Sequence, residues 1–189
     1  MWNSAFPVAA LVWSLFTAHN VQAQPLRLYS VLTRIDPLGE IVPQDRGATP
    51  RHILSPAVPR NAYSSFRLVV SLDTPQDFTI DVGQNPENAV QVSLYKEVYE
   101  KHGETWIPDR LLPVSLPYEG KVPDTPESGA GQTTVTLWMD IWVAGDAPVD
   151  RIKVEPQLYA DDEWTSYPME VRIISPVVPK VSYKFTPLP

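Results

Sequence analysis

The chain has 189 residues, 21 of them Pro and none Cys, and a formal net charge of −7. That acidity excludes a nucleic-acid binder, which needs a basic patch to displace counterions from phosphates, and a protein held electrostatically to an anionic membrane. The missing cysteines exclude a thiol nucleophile, a cysteine zinc site and a disulfide scaffold, so the fold rests on its core.

In chain order, residues 5–16 form an apolar stretch of signal-peptide length, too short to span a bilayer. Val21 and Ala23 are small residues spaced for a signal peptidase, and no charged side chain precedes Arg27. The segment before the apolar stretch carries no Lys or Arg, a departure from the usual pattern. Residues 1–23 are expected to be a cleavable signal peptide, leaving about 166 residues, the size of one domain. The expected location is bacterial, periplasmic or extracellular. No later run reaches the ~18 apolar residues of a membrane span.

The prolines are dispersed, which favours short strands between Pro-bounded loops, because Pro neither donates to a ladder nor sits inside a helix. Alternation predicts strands over residues 26–35, 65–72 and 78–82. Over 90–99, Val90, Val92, Leu94 and Val98 alternate with Gln91, Ser93, Tyr95, Glu97 and Tyr99. Lys101-His102-Gly103-Glu104 reads as a hairpin turn before Trp106, and residues 111–116 as a short strand. Residues 117–132 read as a long loop, and 133–143, 151–160 and 168–174 as strands. No window shows a helical stripe. The expected fold is all-β, a single antiparallel β-sandwich of immunoglobulin or jelly-roll type over residues 24–175. Residues 176–189 are expected to be an extended Pro-rich tail or edge strand.

The strand in "TVTLWMDIWVAGDAP" (134–148) separates Val135, Leu137, Met139, Ile141 and Val143 from Thr136, Trp138, Asp140 and Trp142. The first set can pack a core. The second sets two indoles about 13 Å apart at ~3.3 Å per residue, with a carboxylate between them. Trp138, Asp140, Trp142 and Trp164 are the candidate ligand or docking residues. Three readings of that face are open: packing, a docking surface, or a platform for sugar rings.

Other chemistry fares worse. Asp140 is the only carboxylate in the middle of a strongly patterned strand, and glycoside hydrolysis needs a fixed pair. His52 and His102 follow the signal peptide without a nucleophile-elbow pattern or zinc spacing. Asp161, Asp162 and Glu163 could offer oxygens to calcium, but match no known calcium loop and suit a hairpin turn. Gly129-Ala130-Gly131-Gln132 opens a strand rather than the helix a phosphate loop requires. No catalytic residue, metal or cofactor is expected.

"NAYSSFRLVV" (61–70), preceded by Arg60, begins a series of motifs. Ile107-Pro108-Asp109-Arg110-Leu111-Leu112-Pro113 comes next, then residues 132–148 with Trp138, and finally residues 169–179. Their order resembles the N-terminal β-sandwich of glycoside hydrolase family 123-like proteins, over roughly residues 58–179. Ala62 stands where the family has Glu and Arg67 where it has Gln, departures from any polar network built there. Val149-Asp150 replaces a Gly-bearing turn. In that family the catalytic acids lie in a following (β/α)8 barrel, so the resemblance implies a fold without an activity. The expected protein is an exported, non-catalytic β-sandwich module, binding or structural and carbohydrate-associated. The alternative is a module that docks onto another exported protein of the envelope or of glycan processing.

Overall fold

A computed structural model describes residues 24–45, 47, 54–124 and 131–180. The signal-peptide segment, His52, part of the 117–132 loop and most of the tail lie outside these residues.

Among the described residues eleven strands form two sheets: β1 (Leu26–Ser30), β2 (Ala57–Arg60), β3 (Ala62–Ser71), β4 (Gln76–Asn85), β5 (Gln91–His102), β6 (Thr105–Val114), β7 (Tyr118–Val122), β8 (Thr134–Val143), β9 (Arg151–Ala160), β10 (Glu163–Ser166) and β11 (Glu170–Val177). The first sheet has the order β1-β3-β8-β5-β6 and the second β2-β11-β9-β4-β7, with β10 also paired to β9. A short 3-10 turn lies at Pro43–Asp45. The all-β sandwich expected from the alternation is therefore the observed fold.

The aliphatic face of β8 lies between the sheets. Val135, Leu137, Met139, Ile141 and Val143 are essentially inaccessible and meet Ile80, Ile152, Val154, Leu158 and Val171 from the second sheet in one core cluster. Burying side chains of this size stabilises the fold by ~1.5–3 kcal/mol each before entropy is counted. The opposite faces of β8 and β5 point away from the core, so those two strands set the geometry of the candidate site.

Several details differ from expectation. One strand pair is parallel: β2 lies beside β11, with Ile173 opposite Val58. The edge position of β2 tolerates Pro59, which has no donor to offer a further neighbour. β11 runs to Val177, past the expected end of the last strand at residue 174, because a register shift between Ile174 and Val177 absorbs Pro176. Strand β7 lies within the stretch expected to be loop. Pro117, Gly120 and Pro123 disguise it, yet Gly120 is required, since a Cβ there would come within 2.5 Å of the Phe78 ring.

The first strand stops at Ser30 instead of continuing to residue 35. Thr33 donates its backbone N–H to the Ser30 carbonyl, and residues 31–45 turn back over the outer face of the first sheet. Ile35 bridges Ile41 and packs with Tyr29 and Val69 in a second small core. This strap explains why β3 is buried on both faces from Arg67 to Val70.

Between β2 and β3 the chain passes from one sheet to the other at Asn61, whose φ is 57°. Its N–H donates to the Val143 carbonyl at 2.8 Å and its side-chain amide to the Val178 carbonyl at 2.6 Å. The Arg60-Asn61 pair of the first motif is thus a corner of the fold.

Candidate functional site

Rows of side chains cross the outer face of the first sheet in register. The outermost row is Tyr63, Trp142 and Gln91 on β3, β8 and β5. The next is Ser65, Asp140 and Ser93, and the third is Arg67, Trp138 and Tyr95. The alternation that sends five aliphatic residues of β8 inward sends Trp138, Asp140 and Trp142 to this face, where each is partly exposed.

The two indoles have different surroundings. Trp138 donates its N–H to Asp140 Oδ1 at 2.6 Å, and the same oxygen accepts the Ser65 hydroxyl at 2.5 Å. The Arg67 guanidinium lies over the Trp138 ring, 5.6 Å from its centroid. Trp142 packs against Tyr63 with ring centroids 4.5 Å apart and a 44° tilt, and Tyr63 is 63% exposed. Trp142 also lines an open surface groove of about 510 Å³ with Asn61, Asp146, Val178 and Lys180. Gln91, Ser93 and Tyr95 make no side-chain hydrogen bond among the described residues.

Beyond the third row the face is closed. Arg67 Nε donates to Glu97 Oε1 at 2.6 Å, Nη1 donates to the Thr33 carbonyl at 2.8 Å, and Nη1 also reaches the Val31 carbonyl. The carboxylate of Glu97 is fully buried and its Oε2 has no partner among the described residues. Burial holds the Glu97 carboxyl above the ordinary carboxylate range, against the opposing pull of Arg67. Tyr99 donates to Thr136 Oγ1 at 2.8 Å, and burial pushes its hydroxyl well up. Arg67 therefore ties the strap to the sheet through a buried polar network. Asp45 fastens the far end of the strap by accepting from Arg34 Nε at 2.8 Å and from the Arg34 backbone N–H at 2.9 Å.

Trp164 does not join the other three candidates. It lies on β10 opposite Tyr159, with ring centroids 5.2 Å apart, on the outer face of the second sheet. The two-residue Asp161-Asp162 turn puts it there. Both residues take positive φ, 53° and 59°, as a tight hairpin requires. Asp161, Asp162 and Glu163 are exposed, and among the described residues no group of three or more His, Cys, Asp or Glu side chains is placed to hold a metal. No helix among the described residues is long and apolar enough to cross a membrane.

Tyr63 and Arg67 belong to this face but are not among the sequence candidates, and Glu97 enters the sequence analysis only through the alternation of 90–99. Strict alternation on β3 and β5 does place all three on the same side as Trp138. What it cannot supply is the strand order that makes them neighbours.

The fold and this face define a two-sheet all-β sandwich with a partly exposed aromatic surface. A family 123 glycoside hydrolase from Clostridium perfringens, solved in a structural analysis of glycolipid glycan hydrolysis, is similar in fold. The TM-score is 0.58 at 10% sequence identity, over 82% of this chain and 28% of that one. This chain thus spans under a third of that enzyme's length, and at this identity the likeness is one of fold. No protein-family model and no curated protein matches the sequence.

Proposed function

We propose that this chain is an exported, non-catalytic β-sandwich module that binds carbohydrate through the outer face of its first sheet. The observation that carries this reading is the Tyr63–Trp142 pair, Tyr63 exposed and Trp142 partly so, beside Gln91 and Ser93, whose side chains make no hydrogen bond among the described residues. A sugar ring has an apolar C–H face that packs on an aromatic ring and an edge of hydroxyls that need donors and acceptors. Trp142 and Tyr63 suit the first, and Gln91, Ser93 and Asp140 the second. Signal-peptide features in residues 1–23 support export. The fold shared with part of a glycan-hydrolysing enzyme supports the carbohydrate association, and with it the suggestion that this sandwich corresponds to the N-terminal module of that family.

The non-catalytic reading is supported by the carboxylates of the face. Asp140 already accepts hydrogen bonds from Trp138 and Ser65, and Glu97 lies about four residues further along the ladder. That is ~13 Å at the rise of a strand, beyond the ~5–9.5 Å that separates the paired acids of glycosidases.

The second reading, docking onto another exported protein, is favoured by β6. This edge strand exposes Leu111 and Leu112, each 44% accessible, within the Ile107 to Pro113 motif. Titration against a glycan array, followed by calorimetry with Tyr63→Ala and Trp142→Ala, separates the two. Glycan binding lost in folded variants supports the first reading, and no binding to any glycan overturns it.

A further inference from the structure

The carbohydrate reading leaves unstated how much of a sugar chain the face accepts, and the rows across β3, β8 and β5 bear on this. A surface that tracks a polysaccharide offers successive aromatic rings, each with a free face. From spacing alone, Trp138 and Trp142 look like two such steps. They are not equivalent. The indole N–H of Trp138 is bonded to Asp140 at 2.6 Å, which turns that ring toward the Ser65–Asp140–Ser93 row. One side of the ring is taken by the Arg67 guanidinium. Arg67 cannot readily yield that place, because it is itself buried and held by Glu97 and two strap carbonyls. Trp138 is therefore the end wall of the face, backed by the strap.

On the other side no described residue closes the path. Beyond Trp142 the surface continues into the groove lined by Asn61, Asp146 and Lys180. Gln91 sits directly across from Trp142, one strand spacing or about 4.8 Å away. Ser93 lies on the diagonal at about 7–8 Å, and beside it is Asp140 Oδ2, which accepts no hydrogen bond among the described residues. This set is enough for the hydroxyls of one ring. Asp140 and Asp146 flank the position, Lys180 is the one cation among the described groove residues, and the chain carries a net charge of −7. That charge balance disfavours an anionic sugar.

We infer that this face takes the end of a short neutral glycan, one or two rings seated on Tyr63–Trp142 and stopped at Trp138, with the remainder of any chain leaving through the Lys180 groove. The inference rests on the carbohydrate reading above, and its test separates the two. Calorimetric titration of the full chain with neutral cello-, chito- and galacto-oligosaccharides of one to six rings gives affinity against length. In a series that binds, affinity is expected to rise from one ring to two and then change by less than about twofold up to six. Tyr63→Ala and Trp142→Ala are each expected to weaken it by about tenfold or more while circular dichroism is unchanged. A further rise of more than about fivefold between two rings and six overturns the end-on site and leaves the carbohydrate reading intact. Tighter binding of oligogalacturonates than of the neutral sugars overturns the neutral assignment. Absence of binding in every series and on a glycan array overturns the carbohydrate reading and this inference together.

Discussion

Replacing Arg67 by Met keeps the aliphatic stem and removes the guanidinium that joins Glu97 to the strap. The wild-type pair is dry, with side chains 8% and 0% exposed. The substitution leaves a buried carboxylate with neither oxygen bonded and strips the strap carbonyls of Thr33 and Val31 of their donor. Breaking a buried ion pair from one side costs about 3–5 kcal/mol, which for a chain of this size lowers the melting midpoint by roughly 6–20 °C. The loss depends on pH in a defined direction. The Glu97 carboxyl titrates above its unfolded value because burial outweighs the attraction of Arg67. The native state therefore holds that proton more readily than the unfolded chain, and stability falls as pH rises from the ordinary carboxylate range through the native value. Without Arg67 the carboxyl moves further up. The deficit of R67M is then largest near neutrality and shrinks in acid, where Glu97 is protonated in both states. Urea unfolding near pH 7 and near pH 4, followed by circular dichroism, measures this directly. Adding Glu97→Gln to R67M should restore most of the loss at neutral pH, giving strong coupling in the double-mutant cycle. A loss below about 1 kcal/mol, one that does not vary with pH, or simple additivity of the two substitutions would refute the reasoning.

Two further substitutions test the fold around the face. Gly120→Ala places a Cβ 2.5 Å from the Phe78 ring and 2.9 Å from the Tyr118 ring. It should destabilise by about 1–3 kcal/mol through overpacking, read as a lower urea midpoint, with Phe78→Leu in the same chain relieving part of the loss. At the sheet-crossing corner, Asn61→Ala should cost about 1–2 kcal/mol for its left-handed backbone, whereas Asn61→Gly should lose little beyond the hydrogen bond to Val178. Equal losses in the two Asn61 variants would mean that backbone strain is not what selects the residue.

The parts of the molecule written in local pattern were legible from sequence. The alternation of β8 assigned its aliphatic face to the core and Trp138, Asp140 and Trp142 to the opposite side, because side-chain direction in a strand has a period of two. The hairpins at Gly103 and at Asp161-Asp162 follow from turn chemistry in the same way. What failed depends on neighbours remote in sequence. Trp164 was grouped with the other tryptophans, but sheet membership is set by pairing with Tyr159 across a turn and not by any property of the residue. Glu97 is polar on an outward face yet is buried, because the 31–45 strap folds over a sheet that alternation alone leaves bare. The strap was itself hidden, since Val31, Thr33 and Ile35 continue the strand-like alternation past the turn at Ser30. Strands β2 and β7 carry Pro or Gly at positions that read as breaks. Only the edge placement of one and the Phe78 ring above the other make those residues acceptable.

The account turns most directly on whether glycan binding depends on the exposed aromatic pair. Calorimetric titration of the wild-type chain, Tyr63→Ala and Trp142→Ala with the best glycan found on an array decides this. Binding that falls about tenfold or more in both variants, with circular dichroism and urea midpoint preserved, is the predicted result. A wild-type chain that binds no glycan, or folded variants that bind as the wild type does, would contradict it.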